Sequence, residues 1–207
     1  MQLDERRGTR APRQARGRQR VDAVLDAAAA LLVEAGPDGV TMHGVARRAR
    51  TSIGSLYHFF PDREAVLRAL GERHAAAIAR LVAALRETPA AGWAALDTAA
   101  AVERFVAPFL DHLDRHPDLL GFMRLATPAG RERDASLDDA LRSLAGCVVA
   151  ARCPRLDPAE RHARAAVCIA LLEGVVALVA RADASARAAL VVELKRALGA
   201  YLDACGA

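Results

Sequence analysis

Apolar side chains recur along this chain at three- and four-residue steps, and no run alternates at period two for long, so the pattern predicts helices throughout. The first stripe is Val21, Val24, Leu25, Ala28, Leu31 and Leu32, closed by Gly36, with Pro37-Asp38-Gly39 as a turn. A second, short stripe follows at Met42, Val45, Ala46 and Ala49, with Thr41 placed to cap it. Arg50 and Thr51 break the period. Ser52 can cap a third helix, on which Leu56 and Phe60 face inward. Phe60-Pro61 ends that helix, and Asp62 caps a long one reaching about Arg86, with Val66, Leu67, Leu70, His74, Ala77, Ile78, Leu81 and Leu85 on one side.

Further helices are expected at about 96–115, 118–126, 136–152, 158–180 and 185–204, with a polar loop from Thr127 to Asp134. Pro108 removes a donor from the middle of the first of these and should kink it. Asp157-Pro158-Ala159-Glu160 is a helix start with cap, proline and returning glutamate in order. Ser185 is expected to cap the last helix. The fold class is therefore all-α, with about nine helices in a small three-helix head and a larger helical body.

The stretch Thr41–Phe60 decides what the head is for. Two short helices meet at a tight turn, and the second directs Ile53, Gly54, Ser55, Tyr57 and His58 outward. That is a helix-turn-helix whose second helix enters the major groove. Charge supports it. The chain carries a formal net charge of +4; residues 1–63 hold 11 arginines against seven acidic residues, and residues 64–207 hold 18 of each sign. A basic head on a neutral body suits a polyanionic partner. The domains are read as a disordered basic arm at 1–17, a DNA-binding domain at 18–78 with its motif at 41–60, and a ligand-binding and dimerisation domain at 79–207.

The residues SIGSLYHFF followed by PDREAVL resemble the recognition-helix signature of the TetR family of bacterial transcriptional regulators, carried by a leucine–tyrosine–x–x–phenylalanine core. The resemblance covers about a quarter of the chain. It implies a phosphate contact for Tyr57 and another for Arg63 in the first turn of the next helix. Ser52, Ser55 and His58 can bond backbone or base edges, Ile53 can meet a thymine methyl, and Gly54 permits close approach. In the turn, where the family usually has glycine then valine, this chain has Arg50 and Thr51. If that position needs a positive φ, arginine there costs on the order of 1 kcal/mol. Thr41 and Arg50 complete the expected DNA-binding set.

In the body, Ile78, Leu81, Phe105, Phe109, Phe122, Met123, Cys168 and Leu171 are candidates for an apolar ligand pocket opened by Pro108. His74 reads first as a core histidine and second as a pocket residue. His112 and His116 have the i, i+4 spacing of metal ligands but no clear third donor, so no metal and no cofactor is expected. From Ala165 to Ala180 only Glu173 is charged; a segment so short with a central acid reads as a buried helix, not a membrane span. With the final helix it reads as a subunit interface through Gly174, Leu178, Leu190, Leu194, Leu198 and Tyr201.

Four cysteines without a CxxC pair suggest reduced thiols, and the charged N-terminal stretch suggests a cytoplasmic protein. The expected function is a DNA-binding regulator, a repressor released from a palindromic operator by a small, largely apolar inducer and acting as a homodimer. Two alternatives stand beside it: an α-helical enzyme using a histidine or cysteine site, and a structural DNA-binding protein that senses nothing.

Overall fold

The computed structural model describes residues 10–123 and 135–204. Ten helices and no strand occur among them. In order they are α1 (Arg10–Gly39), α2 (Met42–Arg48), α3 (Ile53–Phe59), α4 (Arg63–Arg86), α5 (Ala90–Ala94), α6 (Thr98–Arg115), α7 (Pro117–Met123), α8 (Ala135–Arg152), α9 (Pro158–Val179) and α10 (Ala184–Asp203). The expected loop at 127–134, the end of the helix before it and the first nine residues of the arm lie outside the described residues. Where the arm is described, it is helical: α1 begins at Arg10 instead of after residue 17.

The chain divides into two compact units between Gly71 and Glu72. In the first, the head, caps set the helix starts. Thr41 Oγ1 accepts from Gly44 N at 3.1 Å, Ser52 Oγ from Ser55 N at 3.1 Å, and Asp62 Oδ1 from Ala65 N at 2.7 Å. Gly36 ends the regular part of α1 with φ 68°, a left-handed conformation that glycine adopts without strain. At Gly39 a side chain has no room, because a Cβ there would lie 2.2 Å from the Ala35 Cβ. The head's core is Val24, Leu25, Ala28 and Leu32 of α1, Val45 and Ala46 of α2, Leu56 and Phe60 around α3, and Val66, Leu67 and Leu70 of α4, all buried. Each of the larger side chains contributes about 1.5–3 kcal/mol by leaving water.

The second unit, the body, packs α6 and α8 to α10 around Phe105, Phe109, Leu144, Val148, Cys168, Ile169, Leu172, Leu194 and Leu198, with Val82 of α4. Trp93 on α5, a short helix the sequence pattern did not mark, is wholly buried, and the Arg104 guanidinium lies 5.5 Å from its ring centre. Arg152 joins distant parts of the chain: Nη1 donates to the Leu96 carbonyl at 2.5 Å and Nη2 to Thr98 Oγ1 at 2.8 Å, and Thr98 Oγ1 donates to Asp203.

Two local expectations need correcting, the cap of the last helix and the state of the cysteines. α10 is capped by Asp183, whose carboxylate accepts from Ala186 N at 2.9 Å, and not by Ser185. α6 is capped by Asp97 and stays helical through Pro108. Cys153 is disulfide-bonded, so the cysteines are not uniformly reduced; Cys147 and Cys168 are free.

Candidate nucleic-acid interface and buried histidine cluster

α3 separates its two faces cleanly. Leu56 is fully buried and Phe60 nearly so, while Gly54, Tyr57 and His58 are exposed and Ile53 and Ser55 half-buried. Tyr57 is 49 % exposed, so its ring stands off the head's core. Gly54 is not demanded by the fold, since a Cβ there would meet nothing within 4 Å. Its effect is to leave the outer surface of α3 bare. Ser52 and Thr41 have their hydroxyls engaged as caps, which fixes the helix starts on either side of the turn.

The turn itself is strained. Arg50 has φ 52°, the one positive φ at a non-glycine residue among those described, and its side chain is exposed. Holding a residue with a Cβ in the left-handed region costs about 1–2 kcal/mol, so a cation stands at this bend against the backbone's preference.

Arg63 sits differently from its expected role. Its Nε donates to the Val40 carbonyl at 2.8 Å, Nη2 to the Pro37 carbonyl at 2.7 Å, and Nη1 to Glu64 at 2.8 Å. The guanidinium fork clasps the α1–α2 turn and neutralises one acid, because two carbonyls and a carboxylate surround it at bonding distance. Arg48 makes a comparable bidentate pair with Glu34, at 2.5 and 2.7 Å.

Sequence reasoning placed Arg16 in a disordered arm at 1–17 and Arg20 just beyond it. Both are on α1, lining with Gly17 an open groove of about 430 Å³ whose other wall is Ser55, His58 and Phe59 of α3. The arginine spacing held the signal, but an arginine-rich stretch poor in apolar residues gave no reason to extend the helix.

In the body, the pocket candidates are largely packed core. Phe105, Phe109 and Cys168 are buried, with the two phenylalanine rings 6.0 Å apart; Ile78, Leu81 and Leu171 pack against them half-buried. The void beside them measures about 10 Å³ and is lined by Val102, Phe105, Ala145, Val148, Val149, Cys168, Leu198 and Leu202. A drug-sized ligand needs about 300–1,000 Å³. The described core therefore holds no void of that size beside Phe105. Burial also pushes the Cys168 thiol up to about 11, which makes it unreactive at neutral pH.

Four polar residues gather where α6 meets α7. His74 of α4 and Asp118 of α7 are both buried and bond at 2.8 Å from Nε2 to Oδ2. Phe122 lies 6.3 Å from the His74 ring. His112 of α6 and His116, the residue that caps its C-terminus, have ring centres 4.4 Å apart, and His74 lies 6.0 Å from the first and 5.9 Å from the second. His112 is 6 % exposed, and its Nε2 has no hydrogen-bond partner. Burial, then the nearby positive charge of His116, His74 and Arg115, lowers its pKa to about 4, against a smaller opposing pull from Asp118. Burial alone would raise the Asp118 carboxyl, but the His74 bond and charge outweigh it and the pKa falls below its ordinary value. Among the described residues no three such side chains are arranged to hold a metal ion.

The expected interface residues divide. Leu178 is 53 % exposed and Gly174 is bare, whereas Leu194 and Leu198 are 1 % and 2 % exposed and belong to the body's own core. The correction follows from helix phase: α10 turns those leucines inward and leaves Val192 53 % exposed. Leu190 and Tyr201 are half-buried.

Comparison with known proteins agrees with this geometry. Residues 24–70 match the family model for bacterial regulatory proteins of the tetR family, and residues 97–202 match that for the tetracyclin repressor-like C-terminal domain. The chain belongs to the TetR family. A TetR-family transcriptional regulator from Streptomyces coelicolor is 26 % identical, with a TM-score of 0.53 over 90 % of this chain and 99 % of that one. A TetR regulator from Haloarcula marismortui, 14 % identical, aligns with a TM-score of 0.65 over 90 % and 98 %. The Bacillus subtilis regulator FadR, crystallised with stearoyl-CoA, is 12 % identical with a TM-score of 0.57 over 89 % and 96 %. No curated protein matches. As a TetR-family member the chain is a DNA-binding transcriptional regulator and not an enzyme.

Proposed function

We propose that this regulator is a repressor that binds a palindromic operator as a homodimer and is released by a small, largely apolar molecule in the cytoplasm. The observation that carries the DNA half is the outer face of α3: Leu56 and Phe60 anchor it while Tyr57, His58 and the bare Gly54 face solvent. Tyr57 supplies a hydroxyl for a phosphate, and Ser55, His58 and Ile53 are placed for base edges or a thymine methyl. Exposed Arg50 adds charge, and Arg16 and Arg20 beside α3 add phosphate contacts from α1. Arg63 holds the turn that positions α2 and is left out of the contacting set.

The homodimer is supported by an exposed apolar face on α9, formed by Ala163, Ala166, Val167, Ala170, Gly174, Ala177 and Leu178, and by Val192 on α10. α9 is long and apolar enough to cross a bilayer, with only 28 % of its most apolar window buried. A second copy covering that face accounts for its composition and sets two recognition helices on one duplex. An apolar inducer is supported by the phenylalanine-lined core, and the same fold holds stearoyl-CoA in the Bacillus protein. The void beside that core is about 10 Å³, so a ligand enters it only as the surrounding helices part. α4 has residues in both units and is the element through which opening alters operator affinity, by the ligand's preference for one state, typically about 1–3 kcal/mol.

The test is Tyr57→Phe, which keeps the ring and removes the hydroxyl. Operator affinity measured at fixed salt should fall about tenfold or less, uniformly across operator variants. Unchanged affinity would remove the phosphate contact from this reading.

A further inference from the structure

We propose that the histidine cluster of the body binds the anionic head, a carboxylate, of the regulator's small-molecule ligand, with His112 as the residue that receives it. This rests on the ligand-sensing reading above and names the ligand's chemical class.

A buried polar nitrogen without a partner costs about 1–3 kcal/mol, and His112 Nε2 is such an atom in a side chain 94 % removed from solvent. Its surroundings are organised. His74 is held by Asp118 through a 2.8 Å bond, which fixes one imidazole beside the cluster. His116, exposed at the end of α6, lies 4.4 Å from His112 and opens the cluster to water. The groups that act on His112 are His116 and Arg115 at the C-terminal end of its own helix, His74 from α4 and Asp118 from α7.

Charge decides what fits. Three of those four groups favour negative charge at His112, and Asp118 is already engaged with His74. A cation would meet an unfavourable field and donors that do not converge. A carboxylate would accept a hydrogen bond from a protonated His112, satisfy the orphaned nitrogen and restore the proton that burial and positive neighbours have displaced. Binding therefore takes up a proton. Phe122 at 6.3 Å from His74 gives the head an apolar neighbour, so the ligand is an organic acid with an apolar body.

The experiment follows His112 by NMR in histidine-labelled full-length protein without DNA, and measures binding by calorimetry near pH 5.5 and near pH 7.5. The probes are acetate, benzoate and octanoate, each against its neutral amide, with Zn²⁺ and Ni²⁺ run separately. At least one carboxylate should move the His112 signal and bind about tenfold tighter at the lower pH, the change expected if its pKa returns to the ordinary histidine value. The amides should do neither, and His112→Ala should abolish the response. If that variant does not fold, the wild-type His112 signal still decides. Equal shifts with acids and amides, no shift with any carboxylate, or a response to Zn²⁺ or Ni²⁺ alone would overturn the assignment. Because no DNA is present, failure here leaves the operator-binding reading standing, and failure at the operator leaves this one standing.

Discussion

The bonds that start the head's helices and those that tie down the body's buried polar groups differ greatly in reach along the chain. In the head, Thr41 caps Gly44, Ser52 caps Ser55 and Asp62 caps Ala65, each three residues away. In the body, His74 bonds a residue 44 positions on, Arg152 one 54 positions back, and Thr98 one 105 positions on. Short-range bonds follow from residue type and spacing. Long-range bonds require that helices already be packed, so they report the tertiary fold and carry the buried chemistry with them. The reading helix belongs to the first kind and the histidine cluster to the second.

The sharpest way to break this contrast lies in the last helices, where local pattern and packing disagree. Leu194→Glu puts a charge at a site 1 % exposed and should unfold the body, a loss of more than about 4 kcal/mol. Leu178→Glu, at a site 53 % exposed, should keep the fold and give monomers in sedimentation. A folded, monomeric Leu194→Glu protein would mean that α10 presents a different face from the one described.

A smaller effect tests the buried cluster through pH. His112 has a lowered pKa of about 4 against an ordinary 6.5. Between those values the unfolded chain binds a proton that the folded one does not, so stability rises with pH and falls on acidification through this window. The loss should be at most about 3 kcal/mol. Asp118, whose pKa is lowered below 3.8, contributes stability that is lost only at still lower pH. Denaturant melts near pH 7 and near pH 4.5 should therefore differ less in His112→Leu than in wild type. An equal difference in both would place the acid sensitivity elsewhere.

The smallest effect returns to the head. Arg50→Gly relieves φ 52° and should stabilise the head by about 1 kcal/mol or less. If Arg50 also meets a phosphate, the slope of operator affinity against salt should fall by about one. A destabilised variant would show that the arginine side chain is held by contacts that offset its backbone strain.

What the sequence determined by itself is what nearest neighbours along the chain enforce. Helix content, the caps at Thr41, Ser52 and Asp157, the closure at Gly36 and the split of α3 into a buried and an outward face are of this kind. The positive φ at Arg50 was signalled only by the resemblance, whose turn usually carries glycine at that position. Tertiary structure alone decided which of several apolar stripes is core. A helix that is apolar all round, such as α9, or striped on two sides, such as α10, has no phase in sequence that tells partner from solvent. Leu194 and Leu198 therefore read like interface until the body packed around them. The same holds for Arg63, whose carbonyl partners lie 23 and 26 residues back, and for Asp118, which no spacing rule links to His74. Periodicity fixes which side chains share a face, and only packing fixes what that face meets.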